Sequence, residues 1–292
     1  MSEEVFQQNL EDKKDVQPGG PFLIQMLFKE PVDMPTKAEL TAVMKRHVGA
    51  VECFCHDEKM AGFAALEHVA EFKDGKIPVQ LMVMKCSQFE GESFDAFLMS
   101  QMWDCQEERD RIFQECRYQV IATDMLAAAL PTLERANLDA DFLDALAELY
   151  PTCEAFYFQN CGKLFLVEDV RFHQIKGADR FIHFGVNARF FRIQDTEDMV
   201  VDTVGMSTLF LPDLQYHFHS MDPNWVVNHA YHVASYILNN DNPIENDETI
   251  DGIQNGKMSR EVQWRCQYED AMIQPPRGVL DIHTGKYAAG GR

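Results

Sequence analysis

Four histidines stand close together in this chain, at His217, His219, His229 and His232. On a strand, residues two apart share a face, so His217 and His219 point one way and Tyr216 and Phe218 the other. On a following helix His229 and His232 lie three apart and share a face. Four imidazoles brought together from a strand and its neighbouring helix could hold zinc, nickel or iron, because neutral imidazole suits all three metals. A packing role asks less of the same residues. On a helical wheel Trp225, His229, His232 and Tyr236 form one aromatic stripe bordering an apolar face of Val226, Ala230, Val233 and Ile237. Neither an HExxH pair nor a spaced Cys/His set accompanies the cluster, so the metal site is a candidate that the bland reading outweighs.

Other chemistry has less support. Cys55 and His56 are neighbours on an apparent strand, where their side chains point to opposite faces and cannot form a nucleophile–base pair. The loop from Asn239 to Glu248 is dense in oxygen ligands but lacks the glycine and spacing of a calcium-binding EF-hand loop. No GxSxG elbow, phosphate-binding loop or dinucleotide fingerprint occurs, so no cofactor is implied. The eight cysteines form no CxxC pair, and many sit inside apolar runs, where a reduced thiol behaves as a small hydrophobe. The opening MSEEVFQQNLEDKKD lacks the basic and apolar pattern of a signal peptide, and a cytoplasmic location is the expectation.

Charge narrows the partners. Against 26 lysines and arginines stand 47 aspartates and glutamates, a formal net charge of −21. Nucleic acid and membrane surfaces are disfavoured, since both demand a cationic patch. A basic protein partner or a cation is easier to accommodate.

Two α+β units could position these residues. After a polar leader over 1–20, the first unit spans 21–116, with strands at 22–29, 50–55, 60–68 and 78–85 and a helix opened near Thr36. The second spans 117–270, with strands at 118–126, 153–159, 183–193, 199–209, 214–220 and 262–268. It also holds a helix begun after Pro131 and another opened by Asp222-Pro223. A tail over 271–292 reads as loosely ordered. Both units follow a related strand-helix-strand-strand order, which predicts antiparallel sheets with helices packed on one face, a ferredoxin-like logic.

The segments AFYFQNCGKLFLVEDV, VNARFFRI, GMSTLFLPDLQY and ENDETIDGI, in that order, resemble a bacterial family known as domain of unknown function 4261. The resemblance runs from Phe22 to about Ile253 and is clearest after Tyr118. It falls on Gly162, Arg189, Arg192, Gly205, Leu211-Pro212 and Thr249-Ile250, which look like turn and packing positions. The family implies no activity and no catalytic residue. Three functions follow as expectations. The leading one is a non-enzymatic binding or interaction protein; the others are a metal-dependent enzyme using the histidines and a small-ligand sensor with a cleft between the units.

Overall fold

The computed structural model describes residues 20–73, 75–90 and 94–290, so apart from Gly20 the expected leader lies outside the described residues. The α+β class holds. The chain divides after Gly185 rather than after residue 116.

The first unit is built on an eight-stranded sheet whose pairings are all antiparallel. Its strands are β1 (Leu23–Phe28), β2 (Val51–His56), β3 (Met60–Phe72), β4 (Gly75–Met84), β5 (Ser87–Gln88), β6 (Tyr118–Met125), β7 (Ala155–Phe158) and β8 (Lys163–Leu166). The order is β2-β3-β4-β6-β1-β7-β8, with β5 on β6. β1 therefore sits between β6 and β7, with Leu23 opposite Thr123 and Ile24 opposite Phe158. That register draws residues 118–158 into the first sheet and corrects the boundary expected at 116/117. Strand pairing between distant segments leaves no mark on local periodicity.

Helices α1 (Lys37–His47) and α4 (Thr132–Leu149) pack together. A capping box starts α1: the Thr36 side chain accepts from the Glu39 amide, and the Glu39 carboxylate accepts from the Thr36 amide. The opposite face of the sheet is also covered. Leu27, Ala155 and Tyr157 meet Cys105 and the Ile112 and Phe113 side chains of α3 (Arg109–Glu115), with Leu98 and Met99 of α2 (Ala96–Ser100) alongside. Helices thus lie on both faces of this sheet, not one. Two further helices, α5 (Val167–Arg171) and α6 (Asp179–Gly185), close the unit. The strand expected from residue 183 begins only at Asn187, because 179–185 are helical.

The second unit has a six-stranded sheet: β9 (Asn187–Arg192), β10 (Met199–Val204), β11 (Asp213–Phe218), β12 (Thr249–Gln254), β13 (Lys257–Asp270) and β14 (Gly278–His283). The order is β12-β13-β14-β11-β10-β9, antiparallel except for the parallel pair β11–β14. A parallel neighbour needs a long crossover. Here it contains α7 (Pro223–Asn239), β12 and β13. Asp222 caps α7 by accepting the Asn224 amide at 2.9 Å, with Pro223 at the first helical position, as the sequence predicts.

This is not a second copy of the first unit's strand-helix-strand-strand order, because three strands precede the α-helix α7. The tail expected to be loose supplies β14, held between β13 and β11 with Val279, Leu280 and Ile282 fully buried. Its alternation is masked because Asp281 is buried as well, accepting a hydrogen bond from the Gln215 amide at 3.0 Å.

Candidate functional site

The structure scatters the four histidines. His217 lies on the face of β11 opposite Tyr216, with its ring against Gly290 and Nε2 3.6 Å from Asp198. His219 meets its neighbour Ser220 at 3.0 Å, and His232 is exposed on α7. Only His229 faces the core. Its Nδ1 accepts from the Tyr216 hydroxyl at 2.9 Å, and its Nε2–H donates to the Asp251 carbonyl at 2.7 Å. Both nitrogens are used. Burial holds the ring neutral by lowering its pKa to about 4, outweighing the Asp251 carbonyl, which favours the cation. Among the described residues no group of three or more His, Cys, Asp or Glu side chains is placed to hold a metal ion.

The other sequence candidates also disperse. Cys55 Sγ approaches Asp57, while His56 Nε2 bonds the Pro35 carbonyl at 3.0 Å. Desolvation, followed by the Asp57 contact, raises the Cys55 thiol above its ordinary pKa, the wrong direction for a nucleophile. In the acidic loop, Asp247 pairs with Arg265 and Asn246 accepts from the Tyr268 amide, so the loop ties itself to β13.

His229 has a structural task that leads to a site. Its ring lies 4.9 Å from that of Trp264, a residue of β13 that is 1% exposed. Gly252 also passes so close to the indole that a Cβ there would stand 2.7 Å from Trp264 Cε2. Gly252 also marks a break in register: Asp251 pairs with Gln263, but Gly252 pairs with Ser259. Arg260, Glu261 and Val262 therefore bulge out of β13, a device that re-aims side chains beside functional sites. Glu261 and Val262 line a pocket of about 550 Å³.

Three elements complete that pocket. The β12–β13 hairpin closes through Asn255 and Gly256, both at positive φ (51° and 77°), as a two-residue type I′ turn requires. Gly256 lies against Trp225 of α7, where a Cβ would come within 2.9 Å of the indole. The start of α7 brings Asp222 and Trp225, and the segment after β14 brings Thr284, Lys286 and Tyr287. Trp264 presents its Nε1 edge toward Gly285 of that segment.

The base of β14 is anchored by buried charge. Arg277 donates to Asp213 at 3.1 Å, to Asp202 at 2.7 Å and to the Thr203 carbonyl at 2.7 Å, while Arg189 grips Asp202 with two bonds. Burial raises the Asp213 pKa, and Arg277 opposes that rise. The clamp fixes where β14 starts and so where its far end delivers Thr284.

Thr284 is the informative member. It is 1% exposed, and its Oγ1 has no hydrogen-bond partner among the described residues. A buried hydroxyl left unpaired costs about 1–3 kcal/mol. Folded domains keep few such groups, and this one belongs to a residue that lines the aromatic pocket.

Sequence reasoning missed most of this site. Trp225 entered only as part of a helical stripe, and Glu261, Trp264 and Thr284 not as site residues. One local signal was available: Asn255-Gly256 is the strongest short hairpin dipeptide, and it places β12 and β13 side by side.

No curated protein and no solved structure matches the chain. Residues 202–283, from β10 through β14, match the family model described as domain of unknown function (DUF4261), and most of the pocket's lining falls within this matched segment.

Proposed function

We propose that this is a non-enzymatic binding protein whose ligand enters the tryptophan-walled pocket of the second unit. The observation that carries the reading is the buried, unpartnered Thr284 hydroxyl on the wall of a pocket large enough for a small organic group. The surrounding groups suit recognition: two indoles and a phenol ring give apolar contact, and a few polar groups fix orientation. All eight cysteines are free thiols, which supports a reducing compartment such as the cytoplasm of a bacterial cell.

Thermal-shift and ligand-detected NMR measurements with a panel of amines, amino acids, sugars and nucleosides test this reading. At least one class should stabilise the wild-type protein, and Thr284→Val should weaken that response while leaving the unliganded fold intact. If the variant answers every probe as the wild type does, the pocket is not the ligand site.

A further inference from the structure

We infer that the pocket takes a cationic side chain, that of an arginine in a basic peptide segment of a partner protein. The inference rests on the pocket being a ligand site and adds the chemistry of the ligand. Three features of the wall and one of the whole chain carry it.

The first is unneutralised negative charge. Asp222 and Glu261 are both exposed at the pocket, and neither has an ion-pair partner among the described residues. Asp222 is used only in part, its Oδ1 accepting from the backbone and side-chain amides of Asn224. Glu261 stands on the three-residue bulge, which carries its carboxylate out of the strand pairing.

The second is aromatic surface suited to a flat cation. Trp225 is 40% exposed although Gly256 backs one side of its indole. Tryptophan is the best ring for a cation–π contact, and a guanidinium can stack on it while its five N–H groups point outward to carboxylates. The pocket already shows the preference in its own chain: Lys286 Nζ sits 4.9 Å from the centre of the Tyr287 ring.

The third is the pattern of hydrogen-bonding capacity. Two carboxylates and the lone pairs of the Thr284 hydroxyl are acceptors, and a guanidinium is donor-only. The formal net charge of −21 then favours approach of a basic partner at long range.

Lys286 makes the proposal discriminating. If the ligand is cationic, the Lys286 ammonium competes with it for an aromatic face and repels it. Its removal should tighten binding. A ligand that is anionic would lose affinity on the same change.

The test titrates the full chain, by calorimetry and tryptophan fluorescence, with a blocked peptide carrying two arginines. A second peptide of the same shape carries neutral citrulline in their place. The arginine peptide should saturate, bind about ten-fold more tightly than the citrulline peptide and weaken as salt is raised. Glu261→Gln and Asp222→Asn should each weaken it several-fold without unfolding, because Glu261 is exposed and asparagine caps a helix as well as aspartate does. Lys286→Ala should bind more tightly than wild type. Equal affinity for the two peptides, or weaker binding by Lys286→Ala, overturns the cationic ligand. The pocket reading survives that result if other probes still respond to Thr284→Val. If no probe responds to Thr284→Val, both readings fall.

Discussion

Two pockets of nearly equal size sit on the two units, and they differ in what their polar groups are doing. The one on the first sheet, about 510 Å³, is floored by Gln25, Gln119 and Gln159 with Phe94 and Tyr157 beside them. Its amides are engaged with one another and with backbone. Gln25 donates to Gln119, Gln159 donates to Gln25 at 2.8 Å, and Gln119 donates to the Gln88 carbonyl at 2.9 Å. The pocket of the second unit, about 550 Å³, keeps a buried hydroxyl with no partner, and two carboxylates with no ion-pair partner, among the described residues. Volume does not separate them. Satisfied polar groups hold a surface together, whereas unsatisfied ones leave free energy for a ligand to recover.

The largest effect should come from the indole that walls the second pocket. Trp264→Ala removes a fully packed ring that lies against His229 and close to Gly252, and it should destabilise the protein by about 3–5 kcal/mol. Denaturant titration of the variant checks this. A cost below about 1 kcal/mol would mean that the packing of Trp264 against His229 and Gly252 is not what shapes the pocket.

Next in size is the pH dependence set by His229. Its folded pKa of about 4 lies below the unfolded value of 6.5, so the unfolded chain binds the extra proton first. The stability of the neutral ring is fully present above pH 6.5 and is lost as pH falls toward 4, by roughly 3 kcal/mol at about 1.4 kcal/mol per unit. His183 is also lowered to about 4, by burial and then by the Lys163 ammonium, and acts over the same window. Urea midpoints measured from pH 7 to pH 4 should therefore fall. His229→Gln should flatten the slope without abolishing it. An unchanged slope in that variant would show that His229 is not held neutral as described.

The same comparison explains what the sequence could disclose. The helix from Asp222-Pro223 was legible because its cap, its proline and its apolar face are all local. So were β1, β6 and β11, whose apolar runs are continuous or alternating. The unit boundary was not, since it depends on β1 choosing β6 and β7 as neighbours across roughly a hundred residues of chain, where loop-closure entropy leaves no sequence trace. β14 was hidden because Arg277 and Asp281 are charged residues made buryable only by partners at Asp202, Asp213 and Gln215. The histidines drew attention by type and spacing, yet the strand's two faces send His217 away from His229. The pocket needed Trp225, Glu261, Trp264 and Thr284 brought together from three separate segments, a convergence that the register of β12 on β13 reveals.

The smallest effects are the most diagnostic, because they should have opposite signs. Gln25→Leu in the first pocket removes the central member of an amide chain and strands groups on Gln119 and Gln159. It should destabilise by about 1–3 kcal/mol, toward the lower end because that pocket is open to water. Thr284→Val in the second pocket keeps the shape of the side chain and removes a hydroxyl that has no partner, so the unliganded protein should become more stable by about 1 kcal/mol. Thermal unfolding of both variants beside the wild type reads the two signs in one experiment. A loss of stability on Thr284→Val would mean that the hydroxyl is already satisfied in solution, and the contrast between the two pockets would vanish. A gain in stability coupled to a loss of ligand response is the pattern of a group kept for binding at the expense of the fold.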